Sequence, residues 1–203
     1  MEEKGIKIIL LGESGVGKTN LINSLFDKNF DENSPTTHNC YCFDGECNIN
    51  NKVYMYNIWD TAGQEQYRAL NKLFVKDSKI VICVYSIDNK ESFKEMNFWI
   101  DYVKEILDKG KYIFALVGNK SDLYENQEVP DEEGEKLANE NGMKFEITSA
   151  LTDAAGFKKF INDLIKDYID LDKKDEIDEI KNTSFKVNKI KIKPEKKKQC
   201  CEN

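Results

Sequence analysis

The sequence predicts an α/β domain: a largely parallel sheet with helices on both faces. Three observations predict it. Four short runs rich in Ile and Val, IKIILL (6–11), VYMYNIW (53–59), KIVICVY (79–85) and YIFALVG (112–118), have the length of strands. Three of them are nearly continuous in apolar residues, as strands buried on both faces must be. Segments with helical apolar spacing alternate with these runs, the pattern of βαβ units. A glycine-rich stretch, LLGESGVGKTNLI (10–22), stands where the first strand should pass into the first helix.

That stretch carries the first chemical signal. Gly12-Glu-Ser-Gly-Val-Gly17-Lys18-Thr19 fits G-x-x-x-x-G-K-[ST], the phosphate loop of a P-loop NTPase. Its glycines allow successive backbone N–H groups to point inward at a phosphate, and the helix N-terminus adds a favourable field. Lys18 supplies a mobile charge and Thr19 a hydroxyl for magnesium. The four fixed positions would coincide by chance in roughly one chain in a hundred of this length, and the strand–helix placement makes coincidence rarer still.

The next elements follow in order. CYCFDGECNINNKVYMYN reads as an antiparallel hairpin turning at Asn50-Asn51 and attached to the sheet. Its second strand ends in Asp60-Thr-Ala-Gly63-Gln64, an acid and a glycine placed to hold magnesium through water and to meet a γ-phosphate. SFKEMNFWIDYVKEIL puts Phe93, Met96, Trp99, Ile100, Val103 and Leu107 at helical spacing. After YIFALVG comes Asn119-Lys120-Ser-Asp122. A carboxylate there can accept from both N1–H and the 2-amino group of guanine, whereas adenine offers no such donor pair. MKFEIT (143–148) is a further strand, and GFKKFINDLIKDYI a helix with Phe157, Phe160, Ile161, Leu164 and Ile165 on one face. Beyond Tyr168 the apolar spacing fades, so the expected division is a domain over residues 1–170 and a disordered tail over 171–203.

Composition sets the bounds. With 203 residues, 40% hydrophobic and 33% charged, the chain has the make-up of one globular domain with a tail. A net charge of −7 argues against nucleic acid as partner. Six cysteines without a CxxC pair and a single histidine, His38, give little material for zinc. Cys83 reads as a small core residue. No signal peptide and no apolar run of spanning length are visible, which predicts synthesis in a reducing compartment.

Together GESGVGKT, WDTAGQE, NKSD and TSA (148–150) resemble the Ras-like small GTPases in order and spacing across residues 6–168. Within them the chain looks most like a Rab protein, through Ser14, IWDTAGQEQYRAL, VICVYSIDNKESF and the paired cysteines near the C-terminus. The resemblance implies a Ras-like, mostly parallel six-stranded sheet flanked by five helices, and a switch that is on with GTP and off with GDP. It assigns nucleotide contacts to Ser14, Gly15, Val16, Gly17, Lys18, Thr19, Asn20, Phe30, Thr37, Gly63, Asn119, Lys120, Asp122, Ser149, Ala150 and Leu151. Thr19, Thr37 and Asp60 would hold Mg2+, Gln64 would orient the attacking water, and Phe30 and Lys120 would cover the base. For the switch threonine, ungapped counting from Thr19 and from Asp60 selects Thr37, with Thr36 as the alternative.

Two departures stand out. His38-Asn39-Cys40-Tyr41-Cys42 replaces the Ile-Gly and apolar patch of a typical Rab, so effector identity does not carry over. Leu151 stands where the family has lysine, which predicts faster nucleotide release. The only arginine, Arg68, is not placed to assist hydrolysis in cis, so turnover should be slow, on the order of 10⁻⁴ s⁻¹, until an activating protein supplies the missing charge.

In the tail, KVNKIKIKPEKKKQCCEN is lysine-rich and carries Cys200-Cys201 two residues before its end, which resembles the doubly geranylgeranylated CCxx signal of Rab proteins. The resemblance implies effectors at the switch regions, an exchange factor, a GTPase-activating protein, a GDP-dissociation inhibitor and a prenylation escort protein. It also implies a monomer on the cytoplasmic face of an intracellular vesicle or endosome-like membrane, with a cytosolic pool. Two rival readings are a pseudo-GTPase that binds nucleotide without cycling and a P-loop ATPase or small-molecule kinase. Intact Lys18, Thr19, Asp60 and Gln64 count against the first, and NKSD against the second.

Overall fold

The computed structural model describes residues 5–28, 30, 37, 40–61, 68–108 and 110–190, with side chains at 68–71, 175–176 and 178–190 outside that description. Thr36, His38, Asn39, Gly63, Gln64, Cys200 and Cys201 lie outside the described residues. The chain divides into two compact units, Met1–Tyr168 and Ile169–Asn203.

The first unit is built on a six-stranded sheet. Its strands are β1 (Ile6–Leu11), β2 (Tyr41–Ile49), β3 (Lys52–Asp60), β4 (Ile80–Ser86), β5 (Ile113–Asn119) and β6 (Lys144–Ile147), in the order β2-β3-β1-β4-β5-β6. β4 is buried at every position and β5 at all but its first, which is why their sequences carry no polar alternation. β1 pairs in parallel with β3 and β4, and β4–β5 and β5–β6 continue in parallel. β2 runs antiparallel to β3 from Tyr41↔Asp60 to Ile49↔Lys52. The two residues between them, Asn50 and Asn51, have φ of 54° and 61°, as a type I′ hairpin turn requires.

Helices cover both faces. They are α1 (Lys18–Leu25), α2 (Arg68–Val75), α3 (Lys90–Lys94), α4 (Met96–Ile106), a 3₁₀ helix (Ser121–Asn126), α5 (Asp131–Asn141) and α6 (Ala154–Ile190). The five expected helices thus become six α-helices among the described residues, because the segment after β4 is divided at Glu95. Asn89 caps α3 by accepting from Ser92 N–H at 3.0 Å, and Glu95 keeps helical angles, so the division is a local turn rather than a change of direction. Met96, Trp99, Ile100 and Val103 of α4 pack with Ile9, Leu11, Val81 and Cys83 into one core. Tyr85, also in that core, has a hydroxyl that is buried without a hydrogen-bond partner among the described residues.

The tail corrects one expectation. α6 contributes Phe157, Phe160, Ile161, Leu164, Ile165 and Tyr168 to the first unit, then continues as helix through the described part of the second, to Ile190. A structureless chain was expected from residue 171. That stretch has no glycine or proline before Pro194, and its opposite charges fall at helical spacing, as in the Lys173–Asp170 pair at 4.0 Å. None of the described helices is long and apolar enough to cross a membrane.

Candidate functional site

The C-terminal ends of β1, β3, β4, β5 and β6 emerge along one edge of the sheet, and every described residue of the predicted site except Phe30 lies at or just beyond one of these ends or on α1 and the loop leading into β2. Ligands of open α/β sheets bind at such an edge.

The phosphate loop leaves β1 at Leu11. Gly12 has φ of 144°, and a Cβ there would come within 2.1 Å of the Val84 carbonyl oxygen, so this chain crossing admits only glycine. Gly17, with φ of 93°, forms the left-handed start of α1, and a Cβ would meet the Asn119 amide at 2.3 Å. Ser14 and Gly15 are exposed at the rim, Val16 is buried beneath them, and Asn20 lies half-buried in the first turn of α1. Lys18 is only 5% exposed; its Nζ donates to the carbonyls of Gly12 and Glu13, each at 2.8 Å. Burial lowers its pKa to about 8, against the opposing influence of Asp60 and Glu13.

Beside this loop three oxygen-bearing side chains from separate segments meet. Thr19 Oγ1 donates to Asp60 Oδ2 at 2.7 Å and lies 2.9 Å from Thr37 Oγ1. Asp60, at the end of β3, is buried, and its Oδ1 has no hydrogen-bond partner among the described residues. Burial raises its pKa, countered by the Thr19 hydroxyl, the Lys18 charge and the Thr37 hydroxyl. Two hydroxyls and a buried carboxylate with a spare oxygen form an oxygen-only donor set that fits Mg2+, a hard cation. Next to Asp60, Thr61 fixes the strand end by donating to the Leu10 carbonyl at 2.6 Å.

The base end is assembled from β5 and β6. Asn119, 1% exposed, donates through Nδ2 to the Val16 carbonyl at 2.8 Å and accepts through Oδ1 from Ala150 N–H at 3.2 Å. Its amide therefore braces the phosphate loop against the base loop, a role that the motif alone did not reveal. Lys120 takes φ of 65°, which turns the chain into the 3₁₀ helix. Its Nζ lies 3.8 Å from Asp88, whose carboxylate also accepts from the Ser86 hydroxyl. Asp122 accepts from the Ser149 hydroxyl, and Ser149 Oγ in turn accepts from the N–H groups of Leu151 and Thr152, both at 3.1 Å. Asp122 is thereby held in one orientation by the TSA segment. Leu151 is 54% exposed and Phe30 40%.

The fold and this edge define a P-loop nucleotide-binding protein whose base loop is built for guanine. A family model described as the Ras family matches residues 7–170. The chain belongs to the Ras family. Among curated proteins of Dictyostelium discoideum it is similar to "Ras-related protein Rab-2B", 36% identical over 146 residues covering 72% of each chain. It is also similar to "Ras-related protein Rab-11C", 34% identical over 161 residues covering 78% of this chain and 71% of the relative. It is a Rab-type small GTPase, a protein that binds GTP and GDP with Mg2+ and hydrolyses GTP. Rab-type proteins work in vesicle trafficking through effectors, exchange factors, activating proteins and GDP-dissociation inhibitors.

Sequence reasoning passed over Glu13, Asp88 and the bracing use of Asn119. Glu13 occupies a free position of the loop motif, and Asp88 lies in a turn without any motif. Only the fold brings Trp99 to the first and Lys120 to the second.

Proposed function

We propose that this chain is a membrane-attached GTP/GDP switch of vesicle trafficking, with residues 1–170 as its nucleotide domain and residues 171–203 as its attachment tail. The observation that carries the site reading is the meeting of Thr19, Asp60 and Thr37 beside Lys18 on the phosphate loop. In this reading Thr19 and Thr37 would offer their hydroxyls to Mg2+ and Asp60 would hold a magnesium-bound water, and the ion would supply neutralisation of phosphate charge. Backbone N–H groups from Ser14 to Thr19 cradle the phosphates and Lys18 bridges them. Gln64 orients the attacking water and Gly63 senses the γ-phosphate. Asp122 reads guanine, Lys120 and Phe30 cover it, and the Ala150 N–H faces the guanine oxygen. Thr37 joins the site only when its segment lies against Thr19, so its departure after hydrolysis gives the switch its two states.

The tail reading places two lipids on Cys200 and Cys201, delivered by a prenylation escort protein, on the cytoplasmic face of an intracellular membrane with a cytosolic pool. The protein acts as a monomer.

The nucleotide cycle tests this in one preparation. The purified full chain carries GDP, turns over loaded GTP slowly with Mg2+, and slows further as Gln64→Leu. Thr37→Ala weakens the Mg2+ dependence of GTP binding and Thr36→Ala does not; the reverse result assigns the switch to Thr36. Leu151→Lys slows GDP release by about fivefold, the value of one modest contact. Bound nucleotide that neither exchanges nor turns over would overturn the switch reading.

A further inference from the structure

Among the described residues the phosphate loop is held from outside at two points. At its far end the Val16 carbonyl accepts from Asn119. At its near end the half-buried Glu13 carboxylate accepts from the indole N–H of Trp99, Nε1 to Oε1, at 3.1 Å. Trp99 belongs to α4, 86 residues further along the chain, and is fully buried. Its ring is set edge-on against Phe98 and Tyr102, with centroids 5.3 and 5.9 Å away, so the N–H has little freedom to aim elsewhere. The acceptor is a carboxylate, which makes the bond charge-assisted and stronger than an ordinary amide contact. The same residue's carbonyl oxygen receives the Lys18 ammonium at 2.8 Å. Glu13 thus joins a rigid core helix, through its side chain, to the lysine that serves the phosphates, through its backbone.

We infer that Glu13 and Trp99 are positioning residues for nucleotide binding: their hydrogen bond fixes the entry half of the phosphate loop in the conformation that receives the β-phosphate. A loop whose N–H groups must converge on one ligand loses affinity when its backbone wanders, because ordering it then costs conformational entropy at binding. Asn119 secures only the Val16 end. The inference rests on the nucleotide-site reading given above.

The test uses the full chain, with GDP release followed by displacement of a fluorescent GDP analogue and with GDP and GMP affinities compared by competition. Glu13→Ala releases GDP about five- to tenfold faster. Its preference for GDP over GMP shrinks, since GMP lacks the β-phosphate that the loop receives. Glu13→Gln keeps an acceptor oxygen and stays within about twofold of the wild type. Trp99→Phe, which removes the N–H and leaves an aromatic ring, reproduces the Glu13→Ala effect, and the two changes together add little to either. A Glu13→Ala protein that melts lower yet keeps wild-type release and GDP preference would overturn the inference and leave the bond a stability contact. So would additive effects in the double variant, or a Glu13→Gln protein as impaired as Glu13→Ala. If Glu13→Ala does not fold, Trp99→Phe against the wild type decides the matter by the same two readings. Failure of the wild-type chain to bind GDP at all would strike the nucleotide-site reading instead.

Discussion

Tyr85 shows how one polar atom in the core becomes a measurable quantity. Its ring lies in β4, packs edge-on against Phe93 at 4.9 Å, and occupies space that Gly118 and Gly134 leave open. A Cβ at either glycine would meet the hydroxyl, at 2.7 and 2.4 Å. The hydroxyl has no partner among the described residues, and burial pushes its pKa well above the usual tyrosine value, with Asp131 and Glu133 adding to the shift. A buried donor left unpaired costs about 1–3 kcal/mol. Tyr85→Phe removes the group and keeps the ring, so the variant melts higher, by roughly 2–4 °C for each kcal/mol recovered in a chain of this size. A lower melting temperature in the scan would mean that the hydroxyl is paired through a bound water.

At the scale of elements, the β2–β3 hairpin depends on two consecutive left-handed asparagines. Asparagine tolerates that conformation better than other residues with a side chain, and alanine does not. Asn51→Ala destabilises the domain by about 1 kcal/mol, and Asn51→Gly does not; chemical denaturation separates the two. This turn was legible in the sequence, because NINNKV set polar residues between two strand-like runs. The central strands were legible too, because full burial leaves nearly continuous runs of apolar residues there. The break at Glu95 was not, since Phe93 to Leu107 keeps one helical period across it. Nor was the helix through Ile190. Its apolar spacing fades beyond Tyr168, and the propensity and charge spacing that favour a helix there are not registered by a search for buried faces. At the site, the residues proposed to meet a ligand could be read as motifs, and those that meet only other parts of the protein could not. Asn119, Glu13 and Asp88 also meet other parts of the protein, and such contacts depend on elements far away in the chain.

Over the whole molecule, charge is divided. The chain as a whole is acidic, at −7, yet from Lys181 to Lys198 the only acid is Glu195. Lysines near an anionic membrane surface contribute about 1 kcal/mol each, and salt screens that attraction over about 8 Å at physiological strength. Unlipidated full chain therefore floats with phosphatidylserine vesicles at low salt and is released as salt rises. Chain lipidated at both Cys200 and Cys201 stays bound, and a Cys201→Ser chain with one lipid exchanges between vesicles. Salt-independent flotation of the unlipidated chain would refute this division of labour.

The strand order has a metric consequence. From Asp60 at the end of β3 to Ala150 just after β6, the site crosses β1, β4 and β5, which makes four strand spacings. At ~4.8 Å each they span roughly 19 Å. The hydrogen-bond ladder fixes that span, and no side-chain motion alters it. In the proposed reading the sheet edge is thus a ruler with a cation mark at one end and a purine mark at the other. Length is one of the properties by which a ligand is recognised: a molecule with the right base and too few phosphates reaches only part of the scale.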